Sequence, residues 1–350
     1  MRCIQPSYFK NFSCDGEICG CRCCRDWRIV VDDDTYKNFE TLAENEREEI
    51  FSKLEWVRDE NSGVEVMVLK LREDGRCSFL DDDSLCKLQK NHGENFLTAI
   101  CQSFPRVTYK LDEENFFQAM TITCPLAANL ILFPIEPITF EEVHEVSARA
   151  IISFKKKLAR PAEEVFKIQM DAVKILQDRN FSINRRLKNL CKFFYGEDFP
   201  DADFNLERHA EVIVEIFSKT YGKILNEQQA AHLRKNYLSY RDEILKQVHE
   251  NFSHMFENYL VNEIFVRCYP FAFSDDEFHN CKIFVTAFKI LEFSLVLTVV
   301  AKKRLNVGDV TTLIYSVNDM LDHSRGGMDE IIEFATNCDA KNFAACILED

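Results

Sequence analysis

From about Thr139 to the end of the chain, apolar residues recur at steps of three and four with charged residues between them, the spacing of a helix with one buried face. Leu233, Tyr237, Tyr240, Ile244 and Val248 form one such stripe, and Asn226 with Gln229 reads as a capping box at its start. A second stripe runs through Leu206, Ala210, Ile213, Phe217 and Tyr221. A third, Phe166, Met170, Val173 and Leu176, follows Pro161 and the acidic pair Glu163 and Glu164, which suit a helical first turn. Phenylalanine and tyrosine in these stripes fill large faces, so they are packing surfaces rather than cofactor boxes. The most apolar long run, Phe284 to Ala301, contains Lys289 and Glu292, both costly in a bilayer, and predicts a buried helix.

The first 135 residues lack this period. Short segments such as Val64 to Leu71 and Phe116 to Thr123 read as strands, separated by acidic turns such as Asp81-Asp82-Asp83. Thr121 to Ile135 is uncharged, but it carries Pro125 and Pro134 and is too short to span a membrane. Pro134 and Pro137 bracket the change of pattern. The expected fold is therefore mainly α: a loop-rich module with a few short strands over residues 1–135, then a helical domain over residues 136–350. In the loop-rich module, metal ligands from several loops would replace a hydrophobic core.

With 350 residues and 46% hydrophobic content, the chain can bury a substantial core without disulfides. Its net charge of -15, from 58 acidic against 43 basic residues, argues against a phosphate-backbone partner. Neither nucleic acid nor a membrane is an expected partner. The opening residues, Met1-Arg-Cys-Ile-Gln-Pro-Ser-Tyr-Phe-Lys, lack the apolar stretch of a secretory signal, so a cytoplasmic location with reduced thiols is expected.

Ten of the fifteen cysteines lie within the first 124 residues, and five of them crowd into the run from Cys14 through Cys19, Cys21 and Cys23 to Cys24. Thiols this close in sequence are oxidised together, bind a metal, or sit exposed and reactive. A reducing compartment and an odd cysteine count favour metal. Cys77, Cys86, Cys101 and Cys124 follow, each in its own local setting, while Cys191, Cys268, Cys281, Cys338 and Cys346 stand singly in helical segments and read as small buried side chains. Zinc usually draws on two short cysteine pairs, and Cys21 to Cys24 is the one C-x-x-C present. An iron-sulfur cluster accepts more irregular spacing, so the pattern leans toward iron-sulfur and leaves zinc open. Asp26 stands where a C-x-x-x-C-x-x-C begun at Cys19 and Cys23 would need its third cysteine, so the usual radical S-adenosylmethionine signature is absent.

The ordered blocks resemble the flagellin lysine-N-methylase (FliB) family, related to zinc- or iron-chelating cysteine-cluster proteins. Phe12-Ser-Cys14, Cys19, Cys23-Cys24 and Trp27 resemble the family's opening signature. Cys77-Ser-Phe-Leu80, Leu85-Cys86, Leu88-Gln89 and Gly93-Glu94 resemble its middle block, and Cys101 with Phe104-Pro105-Arg106 and Cys124-Pro125 resembles its third. Leu176 to Arg179, Arg185-Arg186-Leu187, Asn258-Tyr259-Leu260 and Asn262 to Phe271 resemble its helical region. The resemblance implies a 4Fe-4S cluster and methyl transfer from S-adenosylmethionine to lysines of flagellin. It makes Cys14, Cys19, Cys23, Cys24, Cys77, Cys86, Cys101 and Cys124 the ligand candidates, with Cys19, Cys23, Cys24 and one later cysteine placed first. Cys21 departs from the family's pattern, as a bystander or a local substitute.

Methylating a lysine requires a neutral amine, yet the free group has a pKa near about 10.4, so a carboxylate or tyrosine must take its proton or the site must desolvate it. Tyr259 and Glu263 lie four residues apart on one helical face and are candidates for that work; packing in the core is the alternative. His323 and Arg325, before Gly326-Gly327, form a second polar locus suited to a carboxylate of the cofactor, or are ordinary surface. No G-x-G occurs, so a doubly wound methyltransferase domain is not expected. Two further readings stay open: a non-catalytic zinc- or iron-binding protein, and a redox sensor whose thiolates Arg22 and Arg25 would stabilise. The sequence leaves the oligomeric state undetermined.

Overall fold

The computed structural model describes the chain apart from residues 60–62, 84, 147–148, 154–159, 324–326 and 350 and the side chains of residues 322–323. It forms two compact units: the first is Met1–Gln5, Phe9–Ala127 and Glu141–Ser153, the second Pro6–Tyr8, Ala128–Phe140 and Phe154–Asp350.

The first unit holds β1 (Arg2–Pro6), α1 (Gly16–Cys19), α2 (Asp33–Glu40), α3 (Glu44–Phe51), β2 (Leu54–Arg58), β3 (Glu65–Leu69), α4 (Lys87–His92), α5 (Ala99–Ser103), β4 (Arg106–Lys110), β5 (Asn115–Met120), β6 (Phe140–Val143) and β7 (Ile152–Ser153), with α6 (Pro125–Leu132) ending in the second unit. One sheet runs β6-β1-β5-β4-β7 and a second is the pair β2-β3. β5 runs parallel to β1, with Cys3 opposite Phe116, and antiparallel to β4, with Val107 opposite Ala119. Its residues Phe116 to Met120 are all buried, as a central strand's are. The helical pattern expected from Thr139 starts instead at α7 (Ala162–Leu176), because the short segment at Phe140–Val143 pairs as a strand beside β1. Sheet pairing overrides a local period too short to specify a helix.

This unit also has a hydrophobic core of its own, which corrects the expectation that ligands alone would hold it. Ile29, Phe39, Ile50, Leu69, Phe79 and Leu88 are buried together with Cys77, and Cys24, Cys86, Cys101 and Trp27 pack against them. The apolar positions responsible are scattered among loops and short elements, where no single period announces them.

The second unit continues from α7 through α8 (Ile183–Tyr195), α9 (Leu206–Thr220), α10 (Glu227–Val266), α11 (Glu277–Lys302), α12 (Val307–His323) and α13 (Gly327–Asn337) to α14 (Ala340–Ile347). α7 opens after Pro161 with Glu163 and Glu164 in its first turn. At the start of α10, Gln229 N–H donates to Asn226 Oδ1 at 2.9 Å and Asn226 N–H donates to Gln229 Oε1 at 3.0 Å, the reciprocal cap expected.

α11 is long and apolar enough to cross a membrane by length and composition, yet it is buried without interruption from Asn280 to Val296. It packs against α8, α9, α10, α12, α13 and α14. Its two charges meet inside the core, where Lys289 Nζ stands 2.6 Å from Glu292 Oε2. Lys289 also donates to Asn184 Oδ1 at 2.6 Å, and His249 Nε2 lies 3.1 Å from Glu292 Oε1. Burial would raise the Glu292 pKa, but the Lys289 ammonium and His249 outweigh it and hold it at about 2. A second buried carboxylate, Glu257, accepts from Arg179 at 2.8 Å and from Arg186 at 2.7 Å.

Because the folded pKa of Glu292 lies below the ordinary value of 4.5, its ion pair contributes stability above pH 4.5 that is lost as pH falls toward about 2. Glu292→Gln leaves the Lys289 charge buried and is expected to cost about 3–5 kcal/mol at neutral pH. Urea unfolding of both proteins should show that gap narrowing as pH drops from 4.5 toward 2.

Candidate metal centre

The segment carrying the first cysteines is bent by two local devices. Asp15 caps the single turn of α1, accepting from Glu17 N–H and Ile18 N–H at 3.1 Å each, and Gly20 ends it at φ 63°. Cys21 follows at φ 48°, also left-handed. The chain then turns back so that Trp27 Nε1 donates to the Cys23 carbonyl at 2.6 Å. The opposing segment depends on Gly75, at φ 79°, whose absent Cβ would collide with the Asp26 carboxylate. Asp26 N–H donates to the Gly75 carbonyl at 2.9 Å, and Cys77 N–H to the Cys24 carbonyl at 2.8 Å. These two bonds set Cys77 beside Cys24.

Cys23 is the hub of the resulting thiol set. Its sulfur lies 4.0 Å from that of Cys24, near the roughly 3.8 Å edge that ~2.3 Å Zn–S bonds give a tetrahedron. Cys14, Cys77, Cys86, Cys101 and Cys124 all lie within electrostatic reach of Cys23, and Cys19 within reach of Cys14 and Cys124. The eight cysteines singled out in the sequence are therefore linked by electrostatic interactions that centre on Cys23. Cys21 joins them, buried and hydrogen-bonded to Cys24, although its spacing departs from the family's pattern. Among the described residues, no three histidine, cysteine, aspartate or glutamate side chains are arranged to hold a metal ion.

The thiols fall into two electrostatic classes. Hydrogen bonding from Cys24 lowers Cys21 to about 7 and lowers Cys23, while the same contacts, with burial, drive Cys24 strongly upward. Burial raises Cys86 and pushes Cys77 and Cys124 up to about 11 and Cys101 to about 12. An all-sulfur donor set on a packed frame fits zinc or an iron-sulfur centre by its chemistry. Cys3 stays apart in β1, its thiol pointing to Gln118 Oε1 at 3.7 Å.

The later cysteines are less isolated than their spacing indicates. Cys191 on α8 and Cys281 on α11 bring their sulfurs within 3.6 Å in the core. Cys268 is buried just beyond α10, and Cys338, half-buried beyond α13, hydrogen-bonds to Cys346. Pairing across helices is a tertiary event that leaves no trace in the local sequence.

Tyr259 and Glu263 are brought onto a common partner in the second unit. Tyr259 Oη donates to Asn318 Oδ1 at 3.3 Å, and Asn318 Nδ2 lies 3.4 Å from Glu263 Oε1. Arg267 Nε donates to Glu263 Oε2 at 2.7 Å. Tyr259 and Glu263 are both buried. The neighbouring amides have partners of their own: Asn258 donates to the Pro134 carbonyl at 2.8 Å and Asn262 accepts from the Tyr8 hydroxyl. Asn318 was not anticipated, because it joins this group from a different helix. Of the other polar locus, Arg325 and the His323 side chain lie outside the described residues.

Comparison with known proteins matches residues 13–125 to a putative zinc- or iron-chelating domain and residues 198–348 to the FliB lysine N-methylase C-terminal domain. The chain is 26% identical to the lysine-N-methylases of Salmonella choleraesuis and Salmonella typhimurium over 204 residues, 57% of this chain and 48% of each relative. It thus spans about half the length of those two relatives. It is 28% identical to the flagellar biosynthetic protein FliU of Salmonella muenchen over 161 residues, 42% of this chain and 87% of that protein. No solved structure matches it significantly. The resemblance carried by the cysteine blocks and the helical segments holds at both ends of the chain.

Two outcomes follow from this geometry. Gly75→Ala forces a left-handed alanine against Asp26, costing at least about 1–2 kcal/mol, and should lower bound metal per chain as measured by elemental analysis. Because the Cys77, Cys101 and Cys124 thiols are raised to about 11 or 12 without metal, zinc uptake should release protons and weaken as pH falls from 8 to 6. Calorimetry in buffers of differing ionisation enthalpy measures both effects.

Proposed function

We propose that this chain is a protein-lysine N-methyltransferase that acts on flagellin in the cytoplasm, with S-adenosylmethionine as methyl donor and a cysteine-ligated 4Fe-4S cluster. The observation that carries the reading is the pairing of two domain matches on one chain, a metal-chelating one over the cysteine unit and a FliB lysine N-methylase one over the later helices. The residues that would hold the cluster are drawn from the eight cysteines around Cys23. When bound, a 4Fe-4S cluster supplies one-electron redox chemistry and iron able to accept a further ligand.

The chain's own part in this reading is to manage the proton of the target lysine. The ammonium must lose it before the nitrogen can accept a methyl group. Glu263 is ion-paired to Arg267, and Tyr259 is oriented by Asn318. Such a pair can receive a proton and hold the amine's direction if the target reaches it. Removing the Tyr259 hydroxyl spares the packing of its ring and deletes its hydrogen bond to Asn318.

A specific observation favours a second reading. The 4.0 Å separation of the Cys23 and Cys24 sulfurs suits two ligands on one tetrahedral ion, and a structural zinc would then staple the first unit without chemistry.

Anaerobically purified protein is expected to contain iron and acid-labile sulfide, lost together in a Cys23→Ala, Cys24→Ala variant. With flagellin and S-adenosylmethionine it should add methyl groups to lysines, read by mass spectrometry. Tyr259→Phe should lower the methylation rate about 10²-fold while changing stability by only about 1 kcal/mol. Zinc without sulfide, and no methylated lysine, would overturn the proposal in favour of the structural reading.

A further inference from the structure

The first unit contains a cavity of about 610 Å³ whose lining includes no cysteine. Its size is that of a site for a small organic molecule. Three cations border it, and two are committed: Lys10 lies 3.1 Å from Glu141 and Arg149 lies 3.1 Å from Asp32. The third, Arg106, makes no ion pair among the described residues. Its guanidinium stands 5.0 Å over the Phe12 ring and 5.8 Å from the Phe9 ring, both of which line the same cavity. Aromatic faces restrain an arginine without consuming its N–H fork, which is left to take a carboxylate in two parallel hydrogen bonds.

The rest of the lining has complementary character. Glu145 is exposed at the cavity and makes no ion pair among the described residues, so it can meet a cationic group. Gln118, almost fully buried, also lines the cavity, its amide held by Thr108 Oγ1 at 2.8 Å and by the Cys3 thiol at 3.7 Å. A matching ligand carries a carboxylate, a cation and a flat part with both apolar and hydrogen-bonding edges. An amino acid joined to a nucleoside has that composition. The cavity also adjoins the thiol set in sequence, since Phe12 stands two residues before Cys14 and the lining residue Gln102 directly follows Cys101.

We propose that this cavity is the S-adenosylmethionine site, with Arg106 binding the carboxylate, Glu145 facing the ammonium, and Phe9 and Phe12 providing the apolar wall for the nucleoside. This rests on the methyl-transfer reading and adds to it a location and a specificity residue.

The test is calorimetric binding of S-adenosylmethionine, S-adenosylhomocysteine and adenosine to the metal-loaded protein, with metal content and melting temperature recorded for each variant. Arg106→Met should weaken both amino-acid-bearing ligands about tenfold or more and leave adenosine unchanged. Arg106→Lys, which keeps the charge and loses the fork, should fall between, and Glu145→Gln should weaken the same two ligands several-fold. Wild-type binding with full affinity retained in Arg106→Met overturns the assignment while leaving the methyl-transfer reading intact, as does tight binding that Arg325→Ala abolishes instead. If Arg106→Met does not fold, unchanged binding in both Arg106→Lys and Glu145→Gln overturns it equally. Wild-type protein with full metal that binds neither S-adenosyl compound overturns the methyl-donor reading and the site with it.

Discussion

The thiol set of the first unit depends on a short backbone contact, the 2.8 Å hydrogen bond from Cys77 N–H to the Cys24 carbonyl together with the 2.9 Å bond from Asp26 N–H to the Gly75 carbonyl. It joins a segment that carries five cysteines to one that leads to the later four, and it forms only because the chain on both sides can bend sharply. Gly20 and Cys21 take left-handed conformations on one side, Gly75 on the other, where a side chain would meet Asp26. With that contact in place, Cys23 interacts with sulfurs up to 101 residues away from it in the chain, from Cys14 on one side to Cys124 on the other.

Bringing so many thiols together has an electrostatic consequence. Nearby thiolates repel and burial disfavours charge, so the buried members stay protonated when no metal is present, and only Cys21 and Cys23 shift toward the thiolate. A cation that displaces these protons removes the repulsion and the desolvation penalty together. Such a site discriminates for soft, positively charged centres. The hydrophobic cluster beneath it, with Phe39 and Phe79 at its centre, keeps the frame in place while the protonation state changes.

The second unit solves a different problem, that of a central helix buried on every side. α11 has no solvent face on which to place Lys289 and Glu292, so each neutralises the other and both recruit partners from α8 and α10. Glu257 is treated likewise by two arginines. Buried ion pairs of this kind add little net stability, but they penalise any packing in which a charge loses its partner. The Tyr259, Asn318, Glu263 and Arg267 group sits in the same rigid setting, which suits side chains that must hold direction.

The helices of the second unit were legible in the sequence because a helix is a local structure. The Asn226 and Gln229 cap, the Pro161 start and the stripe through Leu206 and Ile213 all follow from residues within a turn or two of each other. The cysteine pool was legible for the same reason, as a density of one residue type with its neighbours Phe12, Trp27 and Arg106. Contacts between residues far apart in the chain were not legible. Phe140–Val143 became a strand beside β1, Cys191 met Cys281, Asn318 joined Tyr259 to Glu263, and Arg106 came to rest over Phe9 and Phe12. Local sequence determined which chemistry the chain carries and which segments are helical, since backbone propensity and side-chain period act over a few residues. Tertiary structure alone decided which thiols interact, which carboxylates are paired with arginine and which aromatic rings Arg106 lies over, because burial and charge depend on whatever the fold brings within a few ångströms.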